Sequence, residues 1–194
     1  MRRKTKGLSF YQKKKKLSGS LIREILSYLF ITLAAAVLAF VLVFCVGLRT
    51  GMVGVSMQPT LKAGQQILVN RLQYRILAPK SGDVVVFWPS GNRDAHYYVK
   101  RVVAVPGDNL QIKDGVLYVN GYRYQEHDFD KIKEPGIADE IMTLESDEFF
   151  VLGDNVNNSE DSRADNIGPV KRDDIVGKVY LALGADDGVA QAVH

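Results

Sequence analysis

Three stretches hold the residue types from which a hydrolytic site is built. In residues 54–61 (Gly-Val-Ser-Met-Gln-Pro-Thr-Leu) Ser56 stands among small and apolar neighbours, with Pro59 three positions on to stop a helix. A serine hydroxyl is a weak nucleophile until a neighbouring base takes its proton; otherwise a serine here is only a turn residue. Lys100 is one candidate base. Tyr98 and Val99 precede it and Val102 and Val103 follow Arg101, and burial in such a run would draw an ammonium's pKa towards neutrality. Spacing leaves a second reading open, an edge-strand lysine that guards against aggregation. Of the histidines, His96 begins a strand, His127 lies in an acidic stretch and His194 is the last residue; each reads as a surface group. The third stretch, residues 153–163, crowds turn formers and hydroxyls into eleven positions directly after an apolar strand. Site residues are often carried on such loops. Asx turns satisfying their own backbone would account for the same composition.

The elements that must position these groups read as β-structure. Short runs rich in β-branched and aromatic residues cover 66–70, 83–88 and 97–105, the last two stopped by Pro89 and by Pro106-Gly107-Asp108. Within the third run, strand alternation sends Lys100 and Arg101 to opposite faces, so one of them points where the apolar residues point. Asp114-Gly115 and Asn120-Gly121 supply the positive φ that two-residue hairpin turns require, between segments 110–113, 116–119 and 122–124. Residues 125–146 are polar and acidic around Pro135-Gly136 and read as a long surface loop or small insertion. Strands return at 148–152 and 175–183, and the tail 184–194, with nothing to pack, is expected to be loose. The pattern predicts a mostly-β domain over 49–183.

No charged residue occurs between Ile25 and Leu48, a run of 24 positions. A helix rising about 1.5 Å per residue crosses the roughly 30 Å hydrocarbon core in that length. Residues 1–24 hold nine Lys and Arg against Glu24 alone, which predicts a cytoplasmic basic tail, drawn to anionic membrane lipid, and an extracytoplasmic remainder. The run exceeds the 7–15 residues of a cleaved secretory signal, so an uncleaved single-pass anchor is expected. Beyond residue 24 the chain carries 16 basic and 21 acidic residues, a balance that argues against a nucleic-acid domain. Its single cysteine, Cys45, lies in the apolar run and excludes an intramolecular disulfide and a cysteine-based metal site. From Leu48 to Ser56 is eight residues, at most about 26–29 Å when extended, so Ser56 is placed near the outer membrane surface.

Taken together the chain resembles bacterial type I signal peptidase, a membrane-anchored serine protease of peptidase family S26. Four blocks carry the resemblance in order behind the anchor: Gly-x-Ser-Met-x-Pro-Thr-Leu at 54–61, Gly-Asp-Val-Val-Val-Phe at 82–87, Tyr-Val-Lys-Arg-Val-Val-Ala-Val-Pro-Gly-Asp at 98–108, and Gly-Asp-Asn with Asn-Ser-x-Asp-Ser-Arg at 153–163. It implies that Ser56 is the nucleophile and Lys100 the general base, with the Ser159 hydroxyl orienting the lysine amine. Asp161 with Arg163, and Arg101 with Asp154, match supporting pairs. The Ser56 N–H matches an oxyanion donor. Gly54 stands where some members place a serine as second donor, as in many Gram-positive-type members. Met52, Val53, Gly54, Met57, Leu61, Tyr98 and Val99 fall beside the implied nucleophile and base, where the family has shallow pockets for small side chains. The implied fold is a coiled antiparallel β-sheet with a small β extension, and no cofactor or metal is implied. The implied substrates are signal peptides of exported preproteins, cleaved after small-x-small motifs, with the translocation channel as a partner. An extended substrate would be recognised by strand addition to an exposed edge.

Three other functions are compatible with parts of this pattern. A peptidase dedicated to one substrate class such as pilins would share every block. A self-cleaving regulator would also use serine and lysine, but the anchor and the lack of a DNA-binding module oppose it. A non-enzymatic extracellular module would make Ser56 and Lys100 merely structural.

Overall fold

The computed structural model describes residues 19–184 and 190–193. It opens with α1 (Gly19–Val46), a helix of 28 residues and about 42 Å. The window from Gly19 to Phe40 has a mean hydropathy of 1.9, and none of its residues is buried by protein. The helix therefore begins six residues before the uncharged run and stops before Leu48. Arg23 and Glu24 mark where an apolar environment would end, not where backbone hydrogen bonding must begin. Gly47, a weak helix former, starts a strand instead. Of the expected basic tail, residues 1–18 lie outside the described residues, and 19–24 form the first turns of the helix.

The remaining elements in chain order are β1 (Gly47–Gly51), β2 (Gln66–Asn70), the one-turn α2 (Gln73–Ile76), β3 (Val84–Phe87) and β4 (Tyr98–Ala104), followed by β5 (Asn109–Lys113), β6 (Val116–Val119), β7 (Tyr122–Arg123), β8 (Met142–Thr143), β9 (Glu148–Leu152), β10 (Val170–Lys171), β11 (Ile175–Leu183) and β12 (Ala190–Ala192). Every strand pairing is antiparallel. The main sheet runs β1-β2-β11-β3-β4-β9-β10, with β12 on β11, and a smaller sheet runs β7-β6-β5-β8. The expected mostly-β architecture with a small β extension is thus present. The two hairpin turns have Asp114, Gly115, Asn120 and Gly121 at φ of 55°, 82°, 53° and 80°.

β3 and β4 lie at the middle of the main sheet, where Val85 pairs with Lys100 and Val84 with Arg101. Apolar clusters cover both faces: Val84, Val86 and Val99 join one, while Val85, Phe87 and Val102 join another. Lys100 and Arg101 consequently point opposite ways and are both buried, at 4% and 2% exposure. Alternation was informative about direction, but with both faces covered it did not separate a buried residue from an exposed one.

Two segments differ from expectation. Residues 125–146 do not merely lie over the surface: Ile132, Ala138 and Leu144 enter the core beneath the small sheet, and β8 pairs with β5. Apolar residues spaced six apart in a polar stretch show no local periodicity, although each finds a tertiary pocket. The tail also packs. β12 pairs with the end of β11, and Val193 is 6% exposed within the first apolar cluster. Val193→Ala should destabilise the domain by about 1–2 kcal/mol, measured as a lower melting temperature of the full chain in detergent; a loose tail would leave melting unchanged.

Candidate active site

The Ser56 loop leaves the sheet after β1 and returns to β2, closed by the Met52 N–H to Gln65 O and Gly64 N–H to Met52 O bonds, each 2.8 Å. Within it, turn bonds from Gln58 N–H to Val55 O (3.1 Å) and from Leu61 N–H to Met57 O (2.8 Å) wind the chain tightly after Ser56. Met57 and Leu61, fully buried in the first apolar cluster, anchor these turns from below. Ser56 is left partly exposed above them.

Lys100 reaches this serine from β4, its Nζ donating to Ser56 Oγ at 2.8 Å. The same nitrogen lies 5.3 Å from the centroid of the Tyr98 ring, two residues back on the same face of the strand. Burial pushes the Lys100 pKa down from its ordinary 10.5 to about 8. The nearby Asp161, Glu160 and Asp154 carboxylates pull it back up, and the Arg163 guanidinium again lowers it. The central position on β4 therefore converts an ordinary ammonium into an amine that is partly free near neutral pH.

The third stretch holds both partners in place. Asp154 is fully desolvated against Arg101, whose Nε and Nη2 donate to its two oxygens at 2.8 Å each, and it accepts a further short bond from the Thr60 hydroxyl. Asn155 donates its N–H to Ser56 O at 2.9 Å and its side-chain amide to Val55 O at 3.2 Å. Asp161 accepts from Gly153 N–H at 3.1 Å and from Arg163 Nε and Nη2 at 2.8 and 2.9 Å. Arg163 reaches on to the carbonyls of Glu134 (3.0 Å) and Val156 (2.5 Å). Gly153 has to be glycine on packing grounds, because a Cβ there would overlap Ser159 Oγ and come within 2.5 Å of Ser56 O.

The segment 131–137 straps this loop from outside. The Lys133 N–H donates to Asn157 Oδ1 and Asn157 Nδ2 to Lys131 O, both at 3.1 Å, while the Ile137 N–H donates to Arg163 O at 3.0 Å. Gly136, at φ +59°, lies so close to the Arg163 carbonyl that no side chain fits.

Of the residues singled out by sequence, Ser56, Lys100, Met52, Val53, Gly54, Tyr98 and Val99 line one groove of about 480 Å³, together with Val55, His96, Tyr97, Asn158 and Glu160. Met57 and Leu61 do not line it; they belong to the core beneath. Arg101 pairs with Asp154, and Arg163 with Asp161. Ser159 Oγ is buried beside the site and has no hydrogen-bond partner among the described residues, so its implied contact with the lysine amine is not made here. Gly54 adopts φ +79°, a conformation that strains any side chain placed there. His127, set aside as a surface group, lies 3.6 Å from Asp154 with its side chain 20% exposed, and burial holds its pKa below the usual histidine range. Thr60, Asn155, Asn157 and Glu160 were missed as individuals. The first two are named polar members of the blocks already quoted, which is the signal that could have marked them; Glu160 falls at the unspecified position of its block.

A family model described as signal peptidase, peptidase S26, matches residues 22–183. Signal peptidase IB of Staphylococcus aureus (strain Mu50) is 37% identical over 161 residues, covering 73% of this chain and 82% of its own. The probable signal peptidase I-2 of Synechocystis is 30% identical over 151 residues, covering 72% and 67%. The crystal structure of a signal peptidase I from Enterococcus faecalis is 26% identical with a TM-score of 0.39, over 53% of this chain and 97% of that one. The chain belongs to the S26 signal peptidase family, in its bacterial type I branch. It is a serine endopeptidase that removes signal peptides, and its N-terminal apolar helix fits a membrane anchor.

Breaking the Arg101–Asp154 pair from one side leaves a buried charge unpaired. Asp154→Ala should destabilise the domain by about 3–5 kcal/mol. Asp128→Ala, which removes the exposed partner of Arg123 at 3.7 Å, should change stability by less than about 1 kcal/mol. Thermal unfolding of both variants in detergent checks the contrast.

Proposed function

We propose that Ser56 is the nucleophile and Lys100 the general base of this endopeptidase, cleaving exported preproteins after small-x-small motifs. The observation that carries the reading is the 2.8 Å approach of a buried lysine amine to a serine hydroxyl at the floor of an open groove. In its neutral form Lys100 Nζ takes the Ser56 proton as Oγ attacks the scissile carbonyl carbon. The resulting ammonium returns that proton to the leaving amine as the peptide C–N bond breaks. Water then attacks the ester carbonyl, giving a proton to the same amine, which returns it to Ser56 Oγ as the ester C–O bond breaks and the acid product leaves. The Ser56 N–H would stabilise the oxyanion. Gly54 supplies no side-chain donor, so one backbone donor carries that task from this loop. Ser159, whose hydroxyl is buried and unpaired beside the site, has the capacity to accept from the ammonium once it forms. An extended substrate would lie along the exposed backbone of residues 53–55, with small side chains towards Met52, Tyr98 and Val99. The basic N-terminal stretch would keep that end cytoplasmic and place the groove where the translocation channel delivers preproteins.

Arginine keeps the charge and cannot act as base, so Lys100→Arg should lower kcat/KM for a preprotein by about 1,000-fold or more, as should Ser56→Ala. Near-native processing by either variant would refute the pair. The rate should rise with pH through about 8 and level off above it, because only the neutral amine can accept a proton.

Linkage makes a separate demand. The folded pKa lies below the unfolded one, so the unfolded state binds more protons between about 8 and 10.5, and stability rises with pH through that window. At pH 7 the desolvation penalty is fully present. Lys100→Met should therefore be inactive and more stable than the parent by about 1–3 kcal/mol, read from thermal unfolding at pH 7.

A further inference from the structure

We infer that Glu160 selects substrates by charge, favouring a basic side chain next to the scissile bond over an acidic one. The inference rests on the reading of Ser56 and Lys100 as the reacting pair, and it names a substrate feature which that reading does not. Glu160 stands on the rim of the groove that holds both residues. Its carboxylate is fixed there from two sides: the Tyr98 hydroxyl donates to Oε2 at 2.9 Å, and Asn166 Nδ2 donates to Oε1 at 2.8 Å. Asn166 is itself held, because its carbonyl accepts a short bond from the Ser90 hydroxyl.

These two donors keep the carboxylate ionised, and they leave lone pairs free, since a carboxylate accepts about four bonds. Among the described residues Glu160 forms no ion pair, unlike Asp83, Asp154 and Asp161, whose charges are already matched by Lys178, Arg101 and Arg163. The other titratable groups of the groove are Lys100, whose amine is buried and engaged with Ser56, the exposed His96, and the Tyr97 and Tyr98 hydroxyls. The rim thus presents one oriented carboxylate without a direct ion pair beside apolar walls, coupled through space to the buried Lys100 amine. An extended peptide directs alternate side chains to the two sides of such a groove. A lysine or arginine on the Tyr98 side gains a charge-assisted bond to Glu160, and a glutamate or aspartate there is repelled. The carboxylate is exposed, so the expected discrimination is modest, about threefold between lysine and glutamate.

The test uses the full chain in detergent and a series of signal-peptide substrates carrying Lys, Gln or Glu at each position flanking the cleavage site. The readout is the ratio of kcat/KM for the Lys and Glu members. This ratio cancels any effect of Glu160 on the basicity of Lys100, which acts on all substrates alike. For the parent the ratio should be about 3 at one position at least, near 1 for Glu160→Gln, and below 1 for Glu160→Lys. If Glu160→Lys does not fold, Glu160→Gln alone decides. Equal ratios in parent and variants at every position would overturn the inference while leaving the Ser56–Lys100 reading intact. Continued cleavage by Ser56→Ala would overturn that reading, and the inference with it.

Discussion

Placing the Lys100 amine in the interior is the constraint on which the rest of the structure depends. A charged ammonium is disfavoured there, and that penalty is what would make the group a usable base near neutral pH in the proposed mechanism. It follows that Lys100 must lie on a strand covered on both faces, flanked by Val99 on one side and by Val102 beyond Arg101 on the other. The carboxylates nearby have to be held at a distance. If Asp161 or Glu160 bonded the amine directly, the resulting ion pair would restore an ordinary ammonium. Arg163 engages Asp161, while Tyr98 and Asn166 hold the Glu160 carboxylate on the rim, and the Lys100 amine bonds Ser56 instead.

The proposed nucleophile and base come from sequence positions 44 residues apart, and a third segment more than 50 residues further on secures both. Asp154 joins the Arg101 guanidinium to the Thr60 hydroxyl, so a single carboxylate ties strand β4 to the Ser56 loop. Asn155 grips the backbone of Val55 and Ser56 directly. The segment 131–137 then braces that third segment, through Asn157 on one side and the Arg163 carbonyl on the other. The bonds to Asp154 are buried or half-buried polar contacts whose loss leaves a partner unsatisfied, which favours one arrangement of the site over slightly displaced ones.

Much of this was legible in the sequence where a local rule governs the outcome. The expected run 66–70 coincides with β2, because alternation and bounding turns are local. The Asp-Gly and Asn-Gly hairpins lie where predicted, because positive φ is a property of one or two residues. Ser56, Lys100 and the 153–163 loop were visible as separate pieces, and the four blocks in order joined them. What stayed hidden depends on distant partners. Val193 packs only because β11 offers an edge for β12. Ile132 and Leu144 are buried only because the small sheet leaves room for them. His127 approaches Asp154 across 27 positions, and nothing around either residue announces that encounter. The residues 19–24 were assigned to a tail on charge, which reports the surrounding solvent and not the helix.

Titrating the Lys100 side chain tests the account at its centre. In the full chain carrying 13Cε-labelled lysine, the Lys100 resonance is identified as the one missing from Lys100→Arg, and its shift is followed with pH. Burial predicts a midpoint near 8, well below the ordinary lysine value of 10.5. A Lys100 resonance titrating above pH 10 would mean that the amine stays charged at working pH, and the Ser56–Lys100 account would be contradicted.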